Sequence, residues 1–286
     1  MEQPEVVDRR ADERFRALAR SCGLDPEDAW VGRYVDYEWR HSRLLFERYI
    51  GILSGQPVLE FGCNVGATAI ILAVLGARVT AVDLDESMLD LARANAARYG
   101  VAECIRFTLV DPAEPLPFAS SEFAAVSCNS VLEYVRPDTL PAVQAELGRV
   151  LRPGGLVLVL GTSNRLWPRE VHSKRWLVNY LPRRLDALIS PGQPLQRGVS
   201  PCVILQGFPG CRLGNCDEDV DRYLAAKVEM GGAPAKLCAL RAFARLLRPL
   251  GLVPGVLSPS ICVVLRKPTG GERQPCEPVA ESQRCS

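Results

Sequence analysis

The segment most diagnostic of this chain's fold reads Pro57-Val-Leu-Glu-Phe-Gly-Cys-Asn-Val-Gly66. An apolar strand ends in an acid, turns at glycine, and continues into an apolar helical pattern from Ala67 to Leu75. A second apolar strand then ends in Asp83. Glycines let backbone N–H groups approach a ligand at a helix N-terminus, and the two acids can accept hydrogen bonds from an ammonium group and from ribose hydroxyls. The segment therefore predicts a site for a nucleoside with a charged tail.

Strand and helix patterns alternate around this segment. We predict strands at 57–61, 78–83, 104–110, 123–128, 155–161, 252–257 and 261–267, and helices at 67–76, 86–99, 138–151 and 236–249. The strand at Leu156–Leu160 is apolar at every position, as burial on both faces of a parallel sheet requires. The alternation predicts an α/β fold with a doubly wound, mostly parallel, seven-stranded sheet.

The composition suggests further divisions of the chain. Residues 8–22 and 26–50 have helical patterns, whereas a long insertion rich in Pro, Gly, Arg and aromatic residues separates two sheet elements. An insertion of this length is typical of a functional cap, and a Gly-, Pro-, Glu- and Ser-rich end predicts disorder. We expect a helical N-terminal segment at 1–50, a core at 51–161 and 236–267, a substrate-binding cap at 162–235 and a disordered tail at 268–286.

Charge and cysteine content exclude several classes of protein. The formal net charge of +1 argues against a nucleic-acid partner. The polar, acidic start argues against a secretory signal, and no apolar run reaches the roughly 18–20 residues of a membrane helix, so the expected location is the cytoplasm. The eleven scattered cysteines predict free thiols. The spacing of Cys202, Cys211 and Cys216 matches no usual zinc pattern, so we expect no metal site.

Two cofactor classes suit the glycine turn. A dinucleotide site needs G-x-G-x-x-G, but Asn64 stands where the middle glycine of a triplet would be. Glu60 would also repel a pyrophosphate, whereas it suits an ammonium group. Asp111 ends the third strand and could accept a hydrogen bond from an adenine amino group. The alternatives are a strand-end cap for Asp83, a turn residue for Asp111 and a non-binding turn at Asn64.

The whole set of motifs resembles class I S-adenosylmethionine-dependent methyltransferases. The family's first motif is E/D-x-G-x-G-x-G, and the resemblance covers roughly residues 55–162 and 236–267. The matching segments are Glu60–Gly66, Ala81–Arg93, Asp111 with Leu116-Pro-Phe118, Phe123–Tyr134, and Leu151-Arg-Pro-Gly-Gly155. One departure is Asn64, a residue type that tolerates the left-handed backbone better than most.

The resemblance implies a Rossmann-like methyltransferase fold, S-adenosylmethionine as the cofactor, and an N-terminal segment that lies over the cofactor site. It also implies a small-molecule acceptor, and it leaves the oligomeric state open. The residues it implies for cofactor binding are Tyr34, Glu60, Gly62, Cys63, Asn64, Gly66, Asp83, Leu84, Met88, Asp111, Pro112 and Asn129.

Two residues are candidates for a general base. In the family, the region after the fifth strand borders the acceptor pocket, and His172 lies there. Glu133 follows the fourth strand and is the second candidate. A base is needed when the acceptor is an alcohol or phenol, so His172 favours oxygen as the acceptor atom. The alternative is that His172 has a structural role or is simply exposed.

The start of the predicted cap is basic and aromatic. Trp167, Trp176 and Tyr180 are interspersed with Arg165, Arg169, Lys174, Arg175, Arg183 and Arg184. Such a segment suits an anionic acceptor or an anionic membrane surface, and the alternative is a solvated face. Two further functions therefore stay open: methylation of a lipid or quinone-like acceptor at a membrane surface, and non-catalytic binding of S-adenosylmethionine.

Overall fold

The computed structural model describes residues 2–51, 53–191, 195, 197–208, 210–213, 219–247, 254–256 and 258–269. Its helices are α1 (Arg9–Ser21), α2 (Tyr34–His41), α3 (Arg43–Ile50), α4 (Ala67–Val74), α5 (Glu86–Arg98), α6 (Leu140–Val150), α7 (Asp186–Ile189), α8 (Pro201–Gln206), α9 (Asp219–Glu229) and α10 (Pro234–Leu247). Its strands are β1 (Pro57–Phe61), β2 (Arg78–Asp83), β3 (Ile105–Leu109), β4 (Phe123–Asn129), β5 (Leu151–Ser163), β6 (Arg212–Leu213) and β7 (Ser260–Arg266).

The strands form one sheet with the order β3-β2-β1-β4-β5-β7-β6. β1 to β5 are parallel, and β7 runs antiparallel to both β5 and β6. Seven strands are found within the described residues, and the predicted α/β, doubly wound, mostly parallel fold is confirmed. In the register of the sheet, Glu60 pairs with Ala81 and with Ser127, so the carboxyl ends of β1, β2 and β4 meet at one edge. Open sheets of this kind bind ligands at that edge.

Single residues mark the N-termini of α4 and α5, the helices that follow β1 and β2. Gly66 has φ +76° and begins α4 in the left-handed region. A Cβ atom at Gly66 would lie 3.0 Å from the Cβ of Ala92, so glycine allows the turn to pack closely on α5. Asp85 caps α5 by accepting a hydrogen bond from the Ser87 amide at 2.8 Å.

Two predicted elements are wrong. The helix expected over 26–50 is instead two helices, α2 and α3, and turns occupy residues 27–33. The break falls at Ser42, whose φ of −124° is not helical and whose hydroxyl donates to the buried Glu38 carboxylate. The strand expected at 252–257 is also wrong in its described part, because Pro254–Val256 form a 3₁₀ turn. The turn packs closely on β7, because a Cβ at Gly255 would lie 1.7 Å from the Cys262 carbonyl oxygen.

The segment 162–235 is partly integrated with the sheet. Ile204 and Phe208 are buried in the same apolar cluster as β4, β5 and α6, and Gln144 of α6 donates to the Val203 carbonyl oxygen at 3.2 Å. The same segment supplies β6, and its helix α9 packs against α3. We therefore propose that the cap covers a shorter stretch, about residues 164–200.

Residues 270–286 lie outside the described residues, and the predicted disordered tail lies there apart from its first two residues. Across the described part of the chain, no helix is both long enough and apolar enough to span a bilayer.

Candidate functional site

A cavity of about 1960 Å³ opens at the carboxyl ends of β1, β2 and β4. Pockets for a single drug-sized ligand usually measure about 300–1,000 Å³, so this one has room for two ligands. Of the predicted site residues, those that line it are Tyr34, Glu60, Gly62, Cys63, Asn64, Asp83, Leu84, Met88, Asp111, Pro112, Asn129 and His172. Gly66 instead faces α5, and Glu133 lies behind His172. The structure thus brings most of these residues to one cavity.

Glu60 presents a buried carboxylate to this cavity. The residue is 1% exposed, and its Oε2 atom has no hydrogen-bond partner within the described residues. Burial raises the pKa of Glu60 well above its ordinary value, because a charged carboxylate is costly away from water. A ligand ammonium group would supply both the missing donor and the missing positive charge, so this position fits the amino end of S-adenosylmethionine.

The glycine turn folds through three left-handed residues. Gly62, Asn64 and Gly66 have φ values of +74°, +47° and +76°. Asn64 is therefore in the backbone region expected of it. The backbone amide of Asn64 donates a hydrogen bond to Asp83 Oδ2 at 2.8 Å, and this bond joins the turn to the end of β2. At Gly62 a Cβ would lie 2.2 Å from Val131 Cγ2, so the turn packs directly against the chain after β4.

The acids after β2 and β3 are held by their own turns and still line the cavity. Asp83 Oδ1 accepts from the Leu84 amide at 2.8 Å, which fixes the carboxylate and leaves further lone pairs for a ligand. Asp111 Oδ1 accepts a hydrogen bond from the Ala113 amide at 2.8 Å, so Asp111 does stabilise a turn, which includes Pro112. Leu84 is exposed and lies on the cavity wall, where an apolar ring could pack. Their ligand-binding roles stay predictions.

The two base candidates contact each other. His172 Nε2 lies 3.2 Å from Glu133 Oε1, and the side chains are 31% and 1% exposed, respectively. The hydrogen bond to Glu133 raises the pKa of His172. A carboxylate can only accept, so in the neutral imidazole Nε2 carries the proton and Nδ1 is the basic atom. The pair can therefore hold a base of fixed tautomer at the cavity wall.

Glu170 is a residue that sequence reasoning missed. It is fully buried, and its carboxylate accepts from the amides of His172 and Ser173 at 2.9 and 2.5 Å and from the Ser163 hydroxyl at 2.9 Å. Burial opposes its ionisation, but these backbone hydrogen bonds prevail and lower the pKa of Glu170. The residue thus pins the loop that carries His172 to the end of β5. The sequence signal that could have identified Glu170 is its position two residues before His172.

Other cavity-lining residues lie outside the predicted set, and three of them are Trp30, Glu38 and Lys227. Trp30 precedes α2, Glu38 lies on α2, and Lys227 lies on α9. Glu38 follows Tyr34 by four residues, and that one-turn spacing was the signal that could have found it. Lys227 had no such signal in the sequence, because its helix α9 belongs to the insertion.

The basic residues of the predicted cap mostly point elsewhere. Among their described side chains, Lys174 lines the cavity. Arg169 donates to the Lys174 carbonyl oxygen at 3.1 Å, and Arg175 donates to that of Ile189. Cys202 and Cys211 are free thiols, and Cys216 lies outside the described residues. No group of three or more potential metal ligands occurs in the part of the chain described here.

Comparisons with known proteins agree with this geometry. Residues 58–155 match the family model described as a methyltransferase domain. The ubiquinone biosynthesis O-methyltransferase of Bordetella pertussis is 29% identical over 204 residues, which are 68% of this chain and 82% of that protein. The protein of the same name from Pseudomonas savastanoi pv. phaseolicola is 31% identical over 186 residues, which are 62% of this chain and 74% of that protein.

A solved structure supports the fold over a larger share of the chain. It is an S-adenosylmethionine-dependent methyltransferase from Mesorhizobium loti, with a TM-score of 0.52 and 20% sequence identity. The match covers 81% of this chain and 99% of that one. At this level of identity the likeness concerns the fold alone.

Proposed function

The chain belongs to the class I S-adenosylmethionine-dependent methyltransferases, and we propose that it methylates a hydroxyl oxygen on a small, largely apolar molecule. The observation that carries the choice of oxygen is the His172–Glu133 pair at the cavity wall. Phenols and alcohols must lose a proton as the new bond forms, whereas an amine must only arrive unprotonated. A positioned base is therefore useful for an oxygen acceptor.

The nature of the walls supports an apolar acceptor. Apolar side chains on the cavity wall include Val131, Leu160, Val171 and Tyr134, and the ring of Tyr134 lies 5.6 Å from that of His172. The two curated relatives are named for ubiquinone biosynthesis, which fits a hydroxyl on an apolar ring better than an anionic acceptor. We therefore propose a phenol- or quinol-like acceptor.

The roles of the chain's residues follow from their positions. When bound, S-adenosylmethionine supplies an electrophilic methyl group. Glu60 would hold the amino end, and Asp83 would hold the ribose hydroxyls, which fixes the direction of the methyl group. His172 Nδ1 would take the proton of the acceptor hydroxyl, and Glu133 would stabilise the resulting imidazolium. Alignment supplies most of the remaining acceleration.

The pH dependence of methyl transfer tests this proposal. Below the pKa of His172 the ring is protonated and cannot act as a base, so kcat/KM should rise with pH through that pKa. Glu133→Gln removes the hydrogen-bonding charge that raises the pKa of His172. The variant should therefore show its rise at lower pH and reach a lower plateau. The measurement uses labelled S-adenosylmethionine and the best acceptor found in a panel of phenols, quinols and amines.

A matched variant separates this effect from a general loss of charge. Glu103→Gln alters an exposed glutamate outside the cavity and should leave the profile unchanged. A Glu133→Gln profile that coincides with that of the parent protein would contradict the role of His172. Tight cofactor binding without transfer to any panel member would favour the non-catalytic alternative.

A second candidate function, methylation at a membrane surface, is favoured by one feature of the cap. Trp176 is 67% exposed, and Leu177, Tyr180 and Leu188 are exposed as well. Exposed aromatic and basic side chains together suit an anionic bilayer. The surface adjoins the loop that carries His172, so docking there would bring an apolar acceptor close to the cavity.

Co-sedimentation with vesicles tests this second candidate. Vesicles containing phosphatidylglycerol should retain the protein, and Trp176→Ser should weaken retention by about tenfold, since an aromatic side chain leaves the interface. Phe243→Ser changes an exposed aromatic residue on α10 and serves as the matched control. Equal retention of both variants, or none by the parent protein, would exclude the membrane role.

A further inference from the structure

The cavity contains a second buried acid that the proposed reaction does not use. Glu38 of α2 is 2% exposed and lines the same cavity as Glu60. Its carboxylate accepts a hydrogen bond from the Ser42 hydroxyl at 2.5 Å and is also bonded by the side chains of Asn129 and Tyr34. These contacts fix its position. A second buried carboxylate in one cavity is costly unless a ligand compensates for its charge.

Burial is the cause that disfavours the charge of Glu38, and it raises the pKa of this carboxyl. The hydrogen bonds from Ser42, Asn129 and Tyr34, and the positive charge of Lys227, oppose that shift only in part. Glu38 in turn contributes to the raised pKa of Glu60. Two like charges in a shared buried site repel each other, and a cationic ligand would relieve both. The two acids therefore form a site that favours a ligand with more than one positive centre.

The position of Glu38 relates it to the acceptor side of the cavity. Its partner Asn129 ends β4 and donates to Thr68 Oγ1 at 2.9 Å. Asn129 also lies beside the end of β5, because its Oδ1 atom is 2.9 Å from where a Cβ of Gly161 would stand. The loop that carries His172 begins just beyond that point. Glu38 thus reaches the region between the glycine turn and the loop that carries His172, which we call the acceptor loop.

The chemistry of the cofactor supplies a matching pair of charges. Before transfer, S-adenosylmethionine carries an ammonium and a sulfonium. After transfer, the sulfur of S-adenosylhomocysteine is neutral, and the ammonium remains. Glu60, directly before the glycine turn, fits the ammonium. The sulfonium must lie towards the acceptor, since its methyl group is transferred there. Of the two buried acids that line the cavity in the described part of the chain, Glu38 is the one bonded to Asn129 on that side.

We propose that Glu38 is a specificity-determining residue that favours the methyl-bearing cofactor over its demethylated product through the sulfonium charge. Loss of that charge on transfer removes the compensation of Glu38 and so weakens binding of the product relative to the cofactor. Glu38 would act on binding, without taking part in proton transfer. The inference depends on the cofactor of the family and does not depend on which acceptor atom is methylated.

Calorimetric titration without any acceptor tests the proposal. The ligands are S-adenosylmethionine, S-adenosylhomocysteine and sinefungin, an analogue in which a carbon bearing a protonated amine replaces the methylated sulfur. Glu38→Gln should weaken binding of the two charged ligands about tenfold more than binding of S-adenosylhomocysteine, as expected for the loss of one partly buried charge interaction. Glu38→Asp keeps the charge and should retain much of the preference.

Glu60→Gln provides the matched control. The ammonium is common to all three ligands, so this variant should weaken them by similar factors. Equal weakening of S-adenosylmethionine and S-adenosylhomocysteine by Glu38→Gln would overturn the proposal, because it would place Glu38 at the ammonium or give it a purely structural role. If Glu38→Gln does not fold, the double variant Glu38→Met/Ser42→Ala removes the carboxylate together with its donor. The same comparison of the three ligands then tests whether Glu38 responds to the sulfonium charge.

Discussion

His172→Ala should lower the rate of methyl transfer to a hydroxyl acceptor by about 10²–10⁴-fold, the usual contribution of a positioned general base. Affinity for S-adenosylmethionine should stay unchanged, because His172 lies on the loop after β5 and Glu60 and Asp83 lie at the ends of β1 and β2. Single-turnover transfer and calorimetric titration measure the two quantities separately. The loop should survive the change, since Glu170 accepts a hydrogen bond from the backbone amide of residue 172, which alanine retains.

Chemical rescue distinguishes a base from a structural histidine. Alanine leaves space beside Glu133, so added imidazole should restore part of the rate in His172→Ala. The restored rate should depend on the concentration of neutral imidazole. A loss smaller than tenfold, or a large loss without rescue, would assign His172 a role other than proton transfer.

Asp83→Ala should weaken S-adenosylmethionine binding by about 100-fold. Hydrogen bonds to a charged group contribute about 1.5–3 kcal/mol each, and the two ribose hydroxyls could make two of them. A conservative total of about 3 kcal/mol corresponds to that factor. Titration gives the affinity, and thermal unfolding gives an independent measure. The parent protein should be stabilised by S-adenosylmethionine and S-adenosylhomocysteine and not by NAD.

Two variants help to interpret that result. Asp83 also accepts from the Asn64 amide, so part of the loss could come from the turn itself. Asp83→Asn keeps one acceptor oxygen and should lie between the parent protein and Asp83→Ala. Asp90→Ala removes an exposed acid on α5 that does not line the cavity, and it should have no effect. Unchanged affinity in Asp83→Ala would displace Asp83 from its assigned role.

The cofactor side of the site could be predicted because its signals are local in sequence. One strand-turn-helix unit contains Glu60, Asn64 and Gly66. An aspartate at position 85 predicts the N-terminus of α5. The backbone conformation of Asn64 follows from a known property of asparagine. Each of these inferences needs no knowledge of distant parts of the chain.

The acceptor side could be predicted only in part because it depends on long-range contacts. Periodicity did not reveal the helix break at Ser42, because buried residues recur at helical spacing on both sides of it. The distance between Glu133 and His172 joins residues on two separate connections. Pattern alone also mistook a 3₁₀ turn for a strand at 254–256, because an apolar pattern near a sheet edge is typical of both.

The short strand β6 has a consequence for engineering the protein. It comes from the same insertion as the acceptor loop, yet it covers the free edge of β7, and Ile204 and Phe208 beside it fill the core. An uncovered edge strand is a template for aggregation. Exchanging the whole insertion with that of a relative would therefore disturb solubility along with acceptor choice. A graft confined to residues 164–200 would alter the acceptor loop while leaving the protected edge intact.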